Sequence, residues 1–186
     1  MKIIEDIKLD FDDVMLRPKH STVLSRKDVI LEKMFQFYHS PRQLTCIPIC
    51  IANMSGTGRF EVANIASKYK LITCLHKHYT CDELVQEYEG NYLPTSLEDY
   101  VWYSLGIKKE DFLKLEQFIK RTSYFPNLVL DIANGHITAF DQHIKRLREL
   151  CPTSIIMAGN VVIPECVFSA ILSGADIVKL GLGSGK

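Results

Sequence analysis

Read for its hydrophobic and polar positions, the chain changes character near Ile47. Before that point apolar residues are scattered, and Val29–Phe37 alternates loosely enough to predict one strand of a hairpin. From Ile47 onward short apolar runs recur: Ile47–Ala52, Leu71–Leu75, Val101–Leu105, Leu128–Ala133, Ile155–Ala158 and Ile177–Leu180. Their spacing is roughly 25 residues, the length of one strand-plus-helix unit. Amphipathic stretches fill the gaps. Phe60–Tyr69 has helical offsets; Thr80 and Glu83 form a capping box that opens Leu84–Glu89. Asp111–Arg121 places Phe112, Leu115, Phe118 and Ile119 on one face, and Phe140–Leu150 does the same with Ile144 and Leu147. Pro164 suits the first position of a helix that Gly174 stops.

This alternation predicts a parallel sheet with crossover helices, either a doubly wound sheet or a (β/α) barrel. Polar groups follow every run: Asn53 to Gly56, His76 to His78, Ser104 with Gly106, Asp131 with Asn134, Gly159 with Asn160, and Gly181 to Gly185. In a barrel all these ends converge on one mouth, whereas an open sheet gathers only those near a switch point. The pattern therefore favours an α/β fold that is a partial TIM (β/α) barrel, about six of the eight βα units of that fold. The expected organisation is an N-terminal extension and hairpin over 1–45 and an incomplete barrel over 46–186.

Composition narrows the function classes. Lys plus Arg and Asp plus Glu are 22 each, so bulk charge gives no grip on nucleic acid or a membrane surface. The acidic start lacks a secretory signal, and no apolar run approaches the ~18 residues of a membrane span. Neither a nucleic-acid nor a membrane partner is expected, and a cytoplasmic location is. Of the six cysteines, Cys46, Cys50 and Cys74 lie in apolar runs and no C-x-x-C occurs, so reduced thiols are expected rather than disulfides. Cys50 and Cys74 are read as inert thiols of core-type strands. His76 and His78 would share one face of a strand, but no third ligand of suitable spacing accompanies them, so no metal is expected there. Lys77 would then point to the opposite face, as a rim lysine or a site residue. Asp131 is either a ligand contact or a cap for the next helix. The alternating glycines after Leu180 allow close approach of a ligand to the main chain, a weak signal taken alone.

The stretches EDIKLDFDDVMLRPKHSTVLSR, ANM, HKHY, DIANG, AGNVV, SGADIVK and GLGSG, in this order, resemble the GMP reductases, relatives of the IMP dehydrogenases. HKHY and the lack of room for an inserted regulatory domain favour the reductase side. The resemblance implies an oxidoreductase that uses NADPH to convert GMP to IMP and ammonia in purine salvage, on a TIM barrel that assembles as a homotetramer. It implies that Ser25 and Arg26 reach the cofactor of a neighbouring subunit and that Lys77 lies near the nicotinamide and the departing ammonia. Asp131, Ile132, Ala133, Leu180 and Gly181 would line the cofactor, and Gly181 and Gly183 would offer carbonyls to a potassium ion. The family's nucleophilic cysteine would fall just beyond Lys186, so the 186 residues alone are expected to be inactive. The chain departs from the family at Ser55-Gly56-Thr57, at Arg59, at Leu105 and Ile107, and at Lys186. Two other readings stay open: a catalytically dead chain acting only with a full-length partner, or an IMP dehydrogenase-like or doubly wound nucleotide-binding module.

Overall fold

The computed structural model describes residues 9, 11–89 and 99–181. The chain divides into two compact units, Met1–Ile30 and Leu31–Lys186. In the first, the described residues form two single 3-10 turns, Phe11–Asp13 and Arg26–Asp28. Ser25 caps the second: its Oγ accepts from the Lys27 N–H at 3.2 Å, satisfying a donor that the turn leaves free.

The second unit opens with an antiparallel hairpin, β1 (Lys33–Gln36) paired with β2 (Gln43–Cys46). The strand expected over Val29–Phe37 is shorter than predicted, because its partner offers only the register Lys33 to Gln36. Six parallel strands follow: β3 (Cys50–Ile51), β4 (Ile72–Cys74), β5 (Val101–Leu105), β6 (Asn127–Asp131), β7 (Ile156–Val161) and β8 (Ile177–Leu180). Their spatial order is their sequence order, β3-β4-β5-β6-β7-β8. A doubly wound sheet needs a reversal of order at a switch point, so that alternative falls and the partial barrel stands. Helices α1 (Phe60–Ala66), α2 (Cys81–Glu89), α3 (Lys109–Thr122), α4 (Ala139–Leu150) and α5 (Pro164–Leu172) make the crossovers.

Each central strand is buried on both faces and feeds two cores in turn. Val101, Tyr103 and Leu105 of β5, Leu128 and Leu130 of β6, and Ile156 and Ala158 of β7 meet the helices. There Phe112, Leu115 and Phe118 of α3 and Phe140, Ile144 and Leu147 of α4 cover them, the faces that helical periodicity predicts. Each such side chain contributes roughly 1.5–3 kcal/mol by leaving water. The intervening residues, Cys74, Trp102, Val129 and Met157, line the inner face and pack with Leu44 and Cys46 of the hairpin.

At the N-terminal ends of the strands one carboxylate is a main fastening of the hairpin, beside the Ser40 and Arg42 side chains, which bond the Thr153 carbonyl and Asn127. Asp176, just before β8, accepts hydrogen bonds from the backbone N–H groups of His39 (3.1 Å), Ser40 (3.2 Å) and Ile156 (3.0 Å). Arg148 of α4 donates to its second oxygen at 2.6 Å, and the Asp176 side chain is fully buried.

Candidate functional site

At the opposite, C-terminal ends of the strands lies an open cleft of about 720 Å³. Its lining comes from the segments after four strands: Lys77 after β4, Gly106 and Ile107 after β5, Asp131, Ile132 and Ala133 at the end of β6, and Asn160 of β7. Four of the expected cofactor residues, Lys77, Asp131, Ile132 and Ala133, are thus brought to one surface. Leu180 ends β8 and Gly181 follows it, and neither is part of this lining; the Gly181 N–H bonds the Val161 carbonyl at 2.8 Å, with φ of 102°. Ser104, read as a rim group, lies inside β5 instead, buried, with its hydroxyl unpartnered among the described residues. Ser25 and Arg26 belong to the first unit. Gly183 lies outside the described residues.

The chemistry of the cleft centres on Asp131. It is not a helix cap, since α4 begins at Ala139 and follows Thr138. Lys179 of β8 donates to Asp131 Oδ1 and forms an ion pair with it. One strand separates them by register: Asp131 is opposite Gly159 of β7, and Gly159 is opposite Lys179. Lys179 reaches across the middle strand because that strand presents no side chain. A Cβ on Gly159 would stand 2.4 Å from Lys179 Cβ and 2.5 Å from its carbonyl oxygen. Burial pushes the Asp131 carboxyl up, but hydrogen bonds from Lys179 and Asn53 and the charges of Lys179 and Lys77 outweigh it, leaving it below the ordinary carboxylate range. Asp131 is therefore an anion at neutral pH with acceptor capacity left over, the property needed to take hydroxyl groups of a ligand.

The Lys77 segment is held from behind. Lys114 of α3 donates to the carbonyls of Lys77 (2.6 Å) and Tyr79 (2.9 Å). Burial, partly offset by nearby acidic groups including Asp111, holds the Lys114 amine below its ordinary value. Gly58 approaches the same turn so closely that a Cβ there would lie 2.4 Å from the Cys74 carbonyl oxygen, and the His76 N–H turns away to bond the Gly58 carbonyl at 2.8 Å.

Two expectations are corrected at this point. His76 and His78 do not share a strand face: β4 ends at Cys74, and His78 sits in a turn whose N–H donates to His76 Nδ1 at 3.3 Å. Among the described residues no three His, Cys, Asp or Glu side chains gather as metal ligands. Cys50 is exposed rather than core, because β3 is a two-residue edge strand with one neighbour. Cys74 is buried as expected, and its thiol is raised by the bond with Cys50 and by desolvation. Lys179 was legible only as a polar interruption of an apolar run. The signal that could have found its role is the glycine at position 159, whose meaning depends on a register no periodicity supplies.

Comparison with known proteins agrees with this geometry. Residues 8–186 match the family described as IMP dehydrogenase / GMP reductase domain. GMP reductases of Serratia proteamaculans and Yersinia pestis are each 40% identical over 186 residues, covering 100% of this chain and 53% of their own length. The chain spans about half the length of the curated relatives it matches. The crystal structure of inosine 5′-monophosphate dehydrogenase from Legionella pneumophila superposes with a TM-score of 0.72 at 27% identity, covering 95% of this chain and 51% of that one. A family match over nearly all of the residues, on a sheet of the same architecture, places this chain in the IMP dehydrogenase / GMP reductase family.

Proposed function

We propose that this chain supplies the cofactor-binding side of a GMP reductase, an oxidoreductase that converts GMP to IMP and ammonia with NADPH. The observation that carries the reading is the meeting of Lys77, Asp131, Ile132 and Ala133 in one cleft, in a chain whose relatives named above are GMP reductases. The cleft fits a nicotinamide dinucleotide chemically: an ionised carboxylate for ribose hydroxyls, apolar walls at Ile107, Ile132 and Ala133, and a lysine beside them. NADPH, when bound, supplies the hydride. Asp131 would orient the cofactor by accepting hydrogen bonds from its hydroxyl groups, while Lys179 keeps the carboxylate aimed. Lys77 would hold positive charge beside the reacting group and relay a proton to departing ammonia. Leu180 and Gly181 would border the same cofactor, and Ser25 and Arg26 would reach that of a neighbouring subunit in a homotetramer. The Gly181 and Gly183 carbonyls would bind potassium.

Titration of NADPH fluorescence with the purified protein tests this. Saturable binding is expected, weakened about ten-fold by Asp131→Asn, the cost of one charge-assisted hydrogen bond. Because Asp131 is already ionised, affinity should stay level between about pH 6 and 8. Absence of saturable binding sinks the proposal. Turnover is a separate matter. Among the described residues the cleft lining contains no cysteine, so NADPH binding at this cleft is tested apart from GMP-dependent NADPH oxidation, which needs a nucleophile that this lining does not supply.

A further inference from the structure

A second constellation stands at the same end of the sheet but outside the cleft. His136 lies in the loop after β6, and Cys166 in the first turn of α5, after β7. Cys166 Sγ is 3.0 Å from His136 Nδ1. The other ring nitrogen is already committed, since the Val162 N–H donates to His136 Nε2 at 3.3 Å. An imidazole that accepts at Nε2 is neutral with its proton on Nδ1. The Nδ1–H therefore points at the sulfur, and such a bond strengthens when the sulfur is a thiolate. His136 therefore acts as an oriented donor to the sulfur rather than as a base, and a donor so placed favours the nucleophilic thiolate. His136 is exposed and Cys166 half-buried, so a small reagent can reach the sulfur. The other thiols lack this setting. Cys46, Cys74 and Cys151 are buried, and burial pushes Cys151 up to about 11; exposed Cys50 is hydrogen-bonded to the Cys74 thiol, which lowers it, but no described imidazole holds it; half-buried Cys81 has Arg121 at 3.9 Å but no imidazole.

We infer that Cys166, held by His136, is a site of reversible thiol–disulfide exchange with small disulfides. The thiolate sulfur attacks one sulfur of the disulfide; a new S–S bond forms as the old one breaks, and the leaving thiolate takes a proton from water. No further oxidant is required. The adduct would stand beside the segments that run from Ala133 and Asn160, two residues of the cleft wall.

The test is exposure of the purified protein to glutathione disulfide at pH 7, with modification of each cysteine followed by peptide mass spectrometry. Cys166 is expected to react about ten-fold faster than Cys81, the advantage of a hydrogen-bond donor aimed at the attacking sulfur. His136→Ala should remove that advantage while the Cys81 rate in the same molecules stays unchanged. His136→Asn, which keeps an N–H donor near the Nδ1 position, should restore part of it. A Cys166 rate no greater than that of Cys81, or one unaffected by His136→Ala in a variant with an unchanged circular dichroism spectrum, overturns the inference.

Discussion

The two ends of the parallel sheet each carry an aspartate paired with a cation from another element, and the two pairs serve opposite purposes. Asp176 at the N-terminal end is enclosed, with side-chain exposures of 0% for it and 17% for Arg148. Its carboxylate takes three backbone N–H groups besides the guanidinium. Asp131 at the C-terminal end is open, with exposures of 26% for it and 30% for Lys179. Its partner is a flexible lysine rather than a planar fork. A buried carboxylate whose lone pairs are filled can only hold structure together. One that keeps a free lone pair at the edge of a cleft can also receive a ligand. The fold thus separates its fastening from its chemistry along the length of the strands, as α/β barrels do.

The sharpest way to break this contrast is to remove the enclosed carboxylate. Asp176→Ala leaves three N–H groups without their acceptor and strips the Arg148 guanidinium of its counter-charge, though it keeps the Gly174, Pro152 and Ser154 carbonyls. Loss of one member of a buried, hydrogen-bonded pair costs on the order of 3–5 kcal/mol, a large share of a ~5–15 kcal/mol domain stability. Urea unfolding should show that loss. A change below about 1 kcal/mol would mean that Leu44 and Cys46 packing and the other hairpin hydrogen bonds, such as Ser40 to the Thr153 carbonyl and Arg42 to Asn127, hold the hairpin without it.

The next effect lies in the middle strand. Gly159→Ala puts a methyl group into the 2.4 Å gap to Lys179 Cβ, where backbone and not a flexible tip must yield. Overpacking of this kind costs roughly 1–3 kcal/mol. It should also displace the Lys179 ammonium from Asp131, so NADPH affinity should fall together with stability. Asp176→Ala, in contrast, should lower stability while leaving affinity in the folded fraction intact. If Gly159→Ala leaves NADPH titration unchanged, Lys179 does not aim the carboxylate.

Much of the scaffold was legible before any geometry. The six runs of β type became the six parallel strands, because strands buried on both faces read as continuous apolar stretches. The Thr80–Glu83 capping box is present in both directions, with Glu83 Oε2 accepting from the Thr80 N–H at 2.7 Å and Thr80 Oγ1 from the Glu83 N–H at 3.2 Å. Gly174 does stop α5, with φ of 115°. The misses share one cause. Where β4 ends, which residue β6 faces across β7, and how exposed a two-residue edge strand leaves Cys50 are all matters of pairing. Pairing is set by contacts between residues far apart in the chain, such as the 48 positions between Asp131 and Lys179. For the same reason nothing in the sequence marks Asp176, although it ties three elements together.

The smallest expected effect concerns protons, and its sign follows from the pair at the open end. Asp131 is held below the ordinary carboxylate value, since its partners outweigh the burial that opposes them. In the unfolded chain the same carboxyl titrates at about 3.9. The stabilisation from the pair is therefore complete above that value and is lost as pH falls through the lower, folded value. With both side chains more than a quarter exposed, solvent screening limits it to about 1 kcal/mol or less. Urea unfolding of the protein and of Asp131→Asn, compared between about pH 6 and pH 3.5, reads the difference directly. The advantage of the aspartate should shrink on acidification, and added salt at pH 6 should shrink it as well. An advantage that grows as the pH falls would mean that Asp131 is stabilised in its protonated form, and that the open cleft holds a neutral acid rather than the anion assigned to it.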